Sequence, residues 1–141
     1  VEYIDEMRSR DDLLSAVSDL DYLIVLAPLT PENENLVDAA VLNAMKPSAY
    51  LINIARGGVV DDEAIIEALN SGSIAGAGLD AFEQEPLPPD HPFWDVENLI
   101  ITPHMAGMSE AYVRQAMPII ETNLRAYIEG KPEDMVNLVE L

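Results

Sequence analysis

Four short apolar segments recur along the chain, and none of them contains a charged residue. They occupy residues 22–27, 49–54, 74–79 and 99–102. Near-continuous apolar runs of this length are typical of β-strands that are covered on both faces, as in a parallel sheet. The pattern therefore predicts four buried, parallel strands.

Segments with helical signals lie before, between and after these runs. The pattern predicts helices over residues 10–17, 37–45, 61–72 and 109–130. Pro47 stops the second helix, and Gly72 and Gly130 end the third and fourth. Ser109 is the expected N-cap of the last helix, and Pro118 is expected to kink or divide it. The apolar stripe of that helix consists of Val113, Met117, Ile120, Leu124 and Ile128.

The alternation of strands and helices predicts an α/β fold with a doubly wound parallel sheet. Residues 83–92 interrupt the alternation with four prolines, so they are expected to form an extended, stiff loop. This loop follows the third strand, and other loops follow the second and fourth strands. Because open α/β sheets bind ligands at the carboxyl ends of their strands, the three loops are expected to converge on one crevice.

The composition adds a strong negative charge. Among 141 residues, 26 are acidic and 7 are lysine or arginine, so the formal net charge is −19. A field of this sign repels phosphate backbones and anionic membranes, which excludes nucleic-acid binding. We interpret the charge as an adaptation to high salt, and an ordinary acidic cytosolic protein is the alternative.

Two absences narrow the function classes further. The sequence contains no cysteine, which excludes disulfides and thiolate zinc sites. Its longest apolar runs are only a few residues, and no signal peptide opens the chain. We therefore expect a cytoplasmic protein without a membrane partner.

Three side chains that suit catalysis follow consecutive predicted strands. Arg56 follows the second strand, where a guanidinium suits bidentate binding of a small carboxylate, although a salt bridge is the alternative. Glu85 and His104 follow the third and fourth strands. A carboxylate beside an imidazole fixes its tautomer and yields a proton donor and acceptor near neutral pH. A solvated acidic loop and a structural histidine are the alternatives for these two.

Other motifs are interpreted as structural. Residues 76–81 fit the dinucleotide fingerprint G-x-G-x-x-G/A, but they lie within an apolar run and precede a proline-rich loop instead of a helix. These glycines are expected to allow a neighbouring element to approach closely. His91 is expected to stiffen its loop, with Phe93 and Trp94 fixing the loop to the core or to a neighbour. No metal site is expected, because the two histidines lack a recognised ligand spacing.

The order of these motifs resembles the D-isomer-specific 2-hydroxyacid dehydrogenases. The resemblance covers nearly the whole chain. The matching segments include Ala-Pro-Leu-Thr-Pro-Glu at 27–32, Leu-Ile-Asn-Ile-Ala-Arg-Gly-Gly-Val-Val-Asp at 51–61, Ile-Ala-Gly-Ala-Gly-Leu-Asp-Ala-Phe at 74–82, Glu-Pro-Leu-Pro at 85–88 and Thr-Pro-His at 102–104.

The resemblance implies a role for each matching residue. Arg56 binds the substrate carboxylate, Glu85 orients His104, and His104 exchanges a proton with the substrate oxygen as hydride moves between carbon 2 and the nicotinamide. Asp80 resembles the residue that binds the nicotinamide carboxamide. The implied cofactor-binding set is Thr30, Ile54, Ala55, Arg56, Asp80, His104 and Gly107.

The resemblance also implies how the chain is organised. Residues 1–108 correspond to the C-terminal part of an NAD(P)-binding domain, and residues 109–141 to a helix and tail that return toward a substrate domain. The fold is expected to be a partial, Rossmann-like doubly wound sheet that lacks its first βαβ unit. Because that unit carries the phosphate-binding turn, the chain alone is expected to be inactive.

The implied parent is a homodimeric oxidoreductase that uses NAD, with NADP as the alternative, on a small 2-hydroxy or 2-oxo acid. Glyoxylate, hydroxypyruvate and 3-phosphoglycerate are all within range. A nucleotide-sensing or corepressor-like protein on the same fold is the alternative.

Overall fold

A computed structural model describes residues 3–138 of the chain. The chain divides into two compact units, and the boundary between them in the sequence lies between Ala106 and Gly107. The first unit contains a four-stranded parallel sheet, and its strands follow one another in chain order. The strands are β1 (Tyr22–Val25), β2 (Tyr50–Asn53), β3 (Gly76–Leu79) and β4 (Leu99–Ile101). The predicted α/β fold with a parallel sheet is confirmed, although each strand is shorter than its apolar run.

This unit contains three helices, of which the first precedes β1, the second connects β1 to β2 and the third connects β2 to β3. They are α1 (Leu13–Val17), α2 (Ala39–Ala44) and α3 (Asp62–Ser71). Asp38 and Asp61 cap α2 and α3, and each carboxylate accepts a backbone N–H at 3.0 Å. Gly72 ends α3 in the left-handed conformation, with a φ of 72°. The first and second helices are shorter than predicted, because a 3₁₀ turn precedes α1 and Val37 pairs with Val60 in a β-bridge.

Only one face of the sheet is covered within this unit. Leu51, Ala77 and Leu79 point to the covered face and pack with residues of α1, α2 and α3 in one core. The strand register brings Tyr22, Ile24, Tyr50 and Ile100 together on the opposite face, where all four are exposed. The prediction that both faces are covered is therefore wrong for the described residues. An apolar run reports which residues are apolar, and it does not report whether another element packs on them.

The loop after β3 has the predicted extended character. It has no helix or strand until a 3₁₀ turn at Pro92–Asp95. His91 caps this turn, because its Nδ1 accepts the backbone N–H of Phe93 at 3.2 Å. Phe93 is buried in the core, whereas Trp94 is half-exposed and donates its indole N–H to the carbonyl of Pro88. These contacts agree with a structural role for His91.

The second unit contains a single long helix, α4 (Tyr112–Glu129). It begins three residues later than predicted, with Ala111 as its N-cap, so the expected cap at Ser109 is wrong. The helix continues through Pro118 without a division, and Gly130 ends it in the left-handed conformation. All five residues of the predicted apolar stripe are exposed, so within the described residues this stripe is not core. The outermost residues of both predicted domains, 1–2 and 139–141, lie outside the described range.

Candidate active site

The loop after β2 presents Arg56 at the carboxyl edge of the sheet. Asn53, the last residue of β2, is buried and organises this loop with its side chain. Its Nδ2 donates to the carbonyl of Arg56 at 2.9 Å, and its Oδ1 accepts the N–H of Ala55 at 3.0 Å. The Arg56 guanidinium is exposed and donates to the carbonyl of Ala55 at 2.7 Å. Among residues 3–138 it forms no ion pair, so the salt-bridge alternative finds no partner there.

Gly57 allows the loops after β2 and β3 to touch. A Cβ atom at this position would lie 2.0 Å from the carbonyl carbon of Phe82 and 2.2 Å from the nitrogen of Glu83. Both atoms belong to the backbone, so neither can rotate away. Only glycine permits this approach, which brings the Arg56 segment against the loop that carries Glu85.

Glu85 and His104 form a hydrogen-bonded pair between the loops after β3 and β4. The Oε2 atom of Glu85 lies 2.7 Å from Nδ1 of His104, and its Oε1 accepts the backbone N–H of Phe82 at 3.0 Å. These two hydrogen bonds, the one with His104 first, lower the pKa of Glu85 below its usual value. Because the ionised carboxylate only accepts hydrogen bonds, Nδ1 carries the proton, which leaves Nε2 of the neutral ring as an acceptor.

Asp80 lies beneath the turn that carries His104. Its carboxylate is buried and accepts hydrogen bonds from the Thr102 hydroxyl at 2.5 Å and from the N–H groups of Met105 and Ala106 at 2.9 and 2.7 Å. Burial by itself raises the pKa of Asp80, but these hydrogen bonds outweigh it and the pKa is lowered. Neither Asp80 nor Glu85 therefore belongs to a merely solvated acidic loop.

One cavity gathers several of the predicted site residues. Its volume is about 740 Å³, and Thr30, Arg56, Glu85 and His104 all line it. Gly57, Gly58, Phe82 and Glu83 also contribute to its wall.

The remaining predicted residues do not line this cavity. Ala55 is buried beside Arg56, and Ile54 is exposed at the end of β2. Asp80 reaches only the turn below His104, and Gly107 belongs to the second unit.

Sequence reasoning did not single out three residues that shape this site. Asn53 is a polar residue at the end of an apolar strand, which was a readable signal of a buried hydrogen-bonding role. Gly57 matters because it contacts Phe82 and Glu83, which are distant in sequence. The residues next to Gly57 in the sequence therefore do not reveal this role. Thr102 likewise acts through a partner, Asp80, on another loop.

The part of the chain that the structure describes holds no group of three or more His, Asp or Glu side chains arranged to bind a metal ion. Within residues 3–138, no helix is both long and apolar enough to cross a membrane.

The sequence matches the family model described as "D-isomer specific 2-hydroxyacid dehydrogenase, NAD binding domain" over residues 2–106. The chain belongs to this family. The predicted resemblance to this family, and with it the NAD(P) cofactor class, is therefore confirmed. The matched segment ends at Ala106, two residues after His104.

Two curated relatives of this chain are named for reactions of small acids. The chain is 42% identical over 127 residues to a glyoxylate reductase of Thermofilum pendens, which is 89% of this chain and 38% of that protein. It is 41% identical to a glycerate dehydrogenase of Methylorubrum extorquens, across 89% of this chain and 40% of the relative.

Solved structures of family members share the fold. A D-isomer specific 2-hydroxyacid dehydrogenase from Xanthobacter autotrophicus, in complex with NADPH and MES, matches with a TM-score of 0.78 and 41% identity, over 92% of this chain and 52% of that one. A glyoxylate/hydroxypyruvate reductase from Sinorhizobium meliloti, in complex with NADP and malonate, matches with a TM-score of 0.73 and 38% identity, over 82% and 36%. The chain thus spans about two-fifths of the length of its curated relatives.

Proposed function

We propose that this chain carries the catalytic part of the cofactor-binding domain of an NAD(P)-dependent oxidoreductase that interconverts small D-2-hydroxy acids and 2-oxo acids. The observation that carries the proposal is the single cavity lined by Arg56, Glu85 and His104. Relatives named as glyoxylate reductase and glycerate dehydrogenase support the substrate class.

Arg56 binds the substrate carboxylate. Its guanidinium is planar and always charged, and it matches a carboxylate with two parallel N–H···O bonds. The Arg56 side chain pairs with no carboxylate of residues 3–138, so it is available for a ligand. The bound carboxylate then holds carbon 2 and its oxygen near His104.

His104 moves the proton. With Nδ1 hydrogen-bonded to Glu85, its Nε2 accepts the hydroxyl proton when a 2-hydroxy acid is oxidised, and it returns a proton to the carbonyl oxygen in the reduction. The ionised Glu85 stabilises the imidazolium that forms and keeps the ring in one orientation.

Bound NAD or NADP supplies the hydride acceptor or donor at carbon 2. The residues present fit the nicotinamide end of such a cofactor: Ile54 offers exposed apolar surface at the end of β2, and Asp80 keeps one acceptor direction beyond its three hydrogen bonds. Thr30, Ala55 and Gly107 complete the proposed contacts.

A pyrophosphate cradle is not supplied by the glycine-rich motif at 76–81. Its two glycines lie in β3, and the residues after it form the proline-rich loop instead of a helix N-terminus. We therefore expect the 141-residue chain to bind NADH weakly and to be inactive alone. Tight NADH binding by this chain would contradict that expectation.

The main test is NADH-dependent reduction of a panel of 2-oxo acids. The assay uses a chimera in which this chain replaces the matching 127 residues of the Thermofilum pendens glyoxylate reductase. His104→Gln is expected to lower the rate by about 10²–10⁴, the usual size of an acid–base contribution. His91→Gln, at the structural histidine, is the matched control and keeps most of the activity.

The second test concerns the carboxylate. Arg56→Gln in the same chimera is expected to lower kcat/KM about 10- to 100-fold, because a hydrogen bond to a charged group contributes about 1.5–3 kcal/mol. Arg8→Gln removes the same charge from an exposed arginine that pairs with Glu6. A value near that control would remove Arg56 from the site, and NADH binding without turnover of any acid would favour the sensor alternative.

The remaining attributes of the whole protein follow the same proposal. We propose that it is a homodimer in the cytoplasm, acts without a metal ion, and takes glyoxylate, hydroxypyruvate or a phosphorylated 2-hydroxy acid.

A further inference from the structure

We infer that Asp80 is a positioning residue, which fixes the turn Thr102–Ala106 and thereby holds His104 against Glu85. This role belongs to the chain itself and does not require a bound nicotinamide. It goes beyond the proposed function, because it concerns how the acid–base pair is assembled before any ligand arrives.

The hydrogen-bond donors of Asp80 bracket His104 on both sides. Thr102 donates from two residues before the histidine, and Met105 and Ala106 donate from one and two residues after it. The three distances are 2.5, 2.9 and 2.7 Å, within the normal range for hydrogen bonds to a carboxylate. A single buried side chain thus ties both ends of the turn to β3.

The backbone of His104 needs such support. Its φ is 50°, in the left-handed region that residues other than glycine rarely adopt. A conformation of this kind persists only where the surrounding structure imposes it. The backbone N–H of His104 donates to the carbonyl of Thr102 at 3.0 Å, and the carboxylate of Asp80 holds the residues on either side.

The location of Asp80 explains why it serves this turn. It directly follows β3, and its own N–H donates to the carbonyl of Asn53 at the end of β2. Its side chain is only 4% exposed, so it is anchored to the sheet and not to a flexible loop. Its three hydrogen-bond donors favour the ionised form of the carboxylate and lower its pKa against the opposing effect of burial.

The number of hydrogen bonds that the Asp80 carboxylate accepts within the protein distinguishes this role from cofactor binding. An ionised carboxylate offers about four acceptor directions, and three are used within the protein. Oδ1 accepts from both Thr102 and Met105, whereas Oδ2 accepts from Ala106. A contact with the nicotinamide would use only what is left on Oδ2, so losing Asp80 disturbs His104 whether or not a cofactor is present.

The experiment uses the 141-residue chain, labelled with ¹³C at its carboxylates, and follows the titration of Glu85 by NMR. The hydrogen bond with His104 is the largest cause of the lowered pKa of Glu85, so this titration reports whether the pair is intact. In Asp80→Ala, the midpoint for Glu85 is expected to rise toward its ordinary value of 4.5. The HN–Hα coupling of His104 is expected to change with it, because that coupling depends on φ.

Asp38→Ala is the matched control. Asp38 also accepts a backbone N–H, at 3.0 Å, but it caps α2 and lines no part of the cavity. This variant is expected to lower stability without moving the Glu85 midpoint. A merely structural role for Asp80 predicts the same result for both variants.

Thr102→Val keeps the side-chain volume and removes only the hydroxyl donor, so it tests the inference even when Asp80→Ala does not fold. It is expected to raise the Glu85 midpoint less than Asp80→Ala, in the same direction. An unchanged midpoint in folded Asp80→Ala, or in Thr102→Val when Asp80→Ala is unfolded, would overturn the inference. No activity is measured, so a failure of the proposed function leaves this result unaffected.

Discussion

Individual side chains at strand ends determine the local geometry of the site. Asn53 closes the turn before Arg56, and Asp80 closes the turn around His104. Both are buried polar residues with their hydrogen bonds satisfied, as buried polar groups generally are. Each one turns the end of an apolar strand into a defined loop.

Gly57→Ala is expected to distort the cavity and to destabilise the fold. The added methyl group would overlap the backbone of Phe82 and Glu83, so the loops after β2 and β3 must separate. Overpacking of this kind costs about 1–3 kcal/mol or more, and urea unfolding measures it. Gly78→Ala is the control, because a Cβ there meets nothing within 4 Å. Equal stability of the two variants would contradict the close approach.

The proline-rich loop passes close to the start of α3, where His91 faces Asp62. Asp62, the first residue of α3, lies 3.7 Å from Nε2 of His91, which is too long for a hydrogen bond. Burial, followed by the nearby charges of Glu83 and Asp61, raises the pKa of Asp62 to about 6. The ionised carboxylate is thus a local source of instability at neutral pH.

The raised pKa of Asp62 makes the stability of the folded chain depend on pH. The folded chain holds the Asp62 proton more tightly than the unfolded chain, whose value is 3.8. The stabilisation is fully present below that pH and is lost as the pH rises through about 6. Between pH 4 and pH 7, the wild type is expected to lose about 1–3 kcal/mol relative to Asp62→Asn.

Urea unfolding of both proteins across this pH range measures the difference. Asp90→Asn, at an exposed position in the proline-rich loop, controls for the change in net charge. Parallel stability curves for the wild type and Asp62→Asn would contradict the raised pKa.

For the whole molecule, the large net negative charge is expected to control how stability depends on salt. A net charge of −19 on 141 residues creates self-repulsion that dissolved salt screens. The Debye length falls from about 10 Å at 0.1 M to about 3 Å at 1 M salt, so repulsion between exposed carboxylates fades over this range. The proposed adaptation to high salt depends on this balance.

The corresponding prediction is that the melting temperature rises steadily with KCl from 0.1 to 2 M. Sucrose at matched osmolality serves as the control, because it is excluded from the protein surface but does not screen charges. Equal or greater stability in dilute buffer would refute adaptation to high salt and would favour an ordinary acidic protein.

Much of the fold was determined by the sequence itself. Apolar runs and terminal glycines act over a few residues, so they predicted the parallel strands and the C-terminal end of α3. The order of Arg56, Glu85 and His104 after consecutive strands predicted a shared edge, because parallel strands end on the same side of a sheet.

Only the tertiary structure decided the contacts between distant segments. The clash that excludes a side chain at Gly57, the donors that surround Asp80 and the burial of Asp62 all depend on partners from other loops. The open sheet face and the exposed stripe of α4 were beyond prediction for the same reason. A sequence pattern states what a surface is made of, whereas packing in three dimensions decides whether anything covers it.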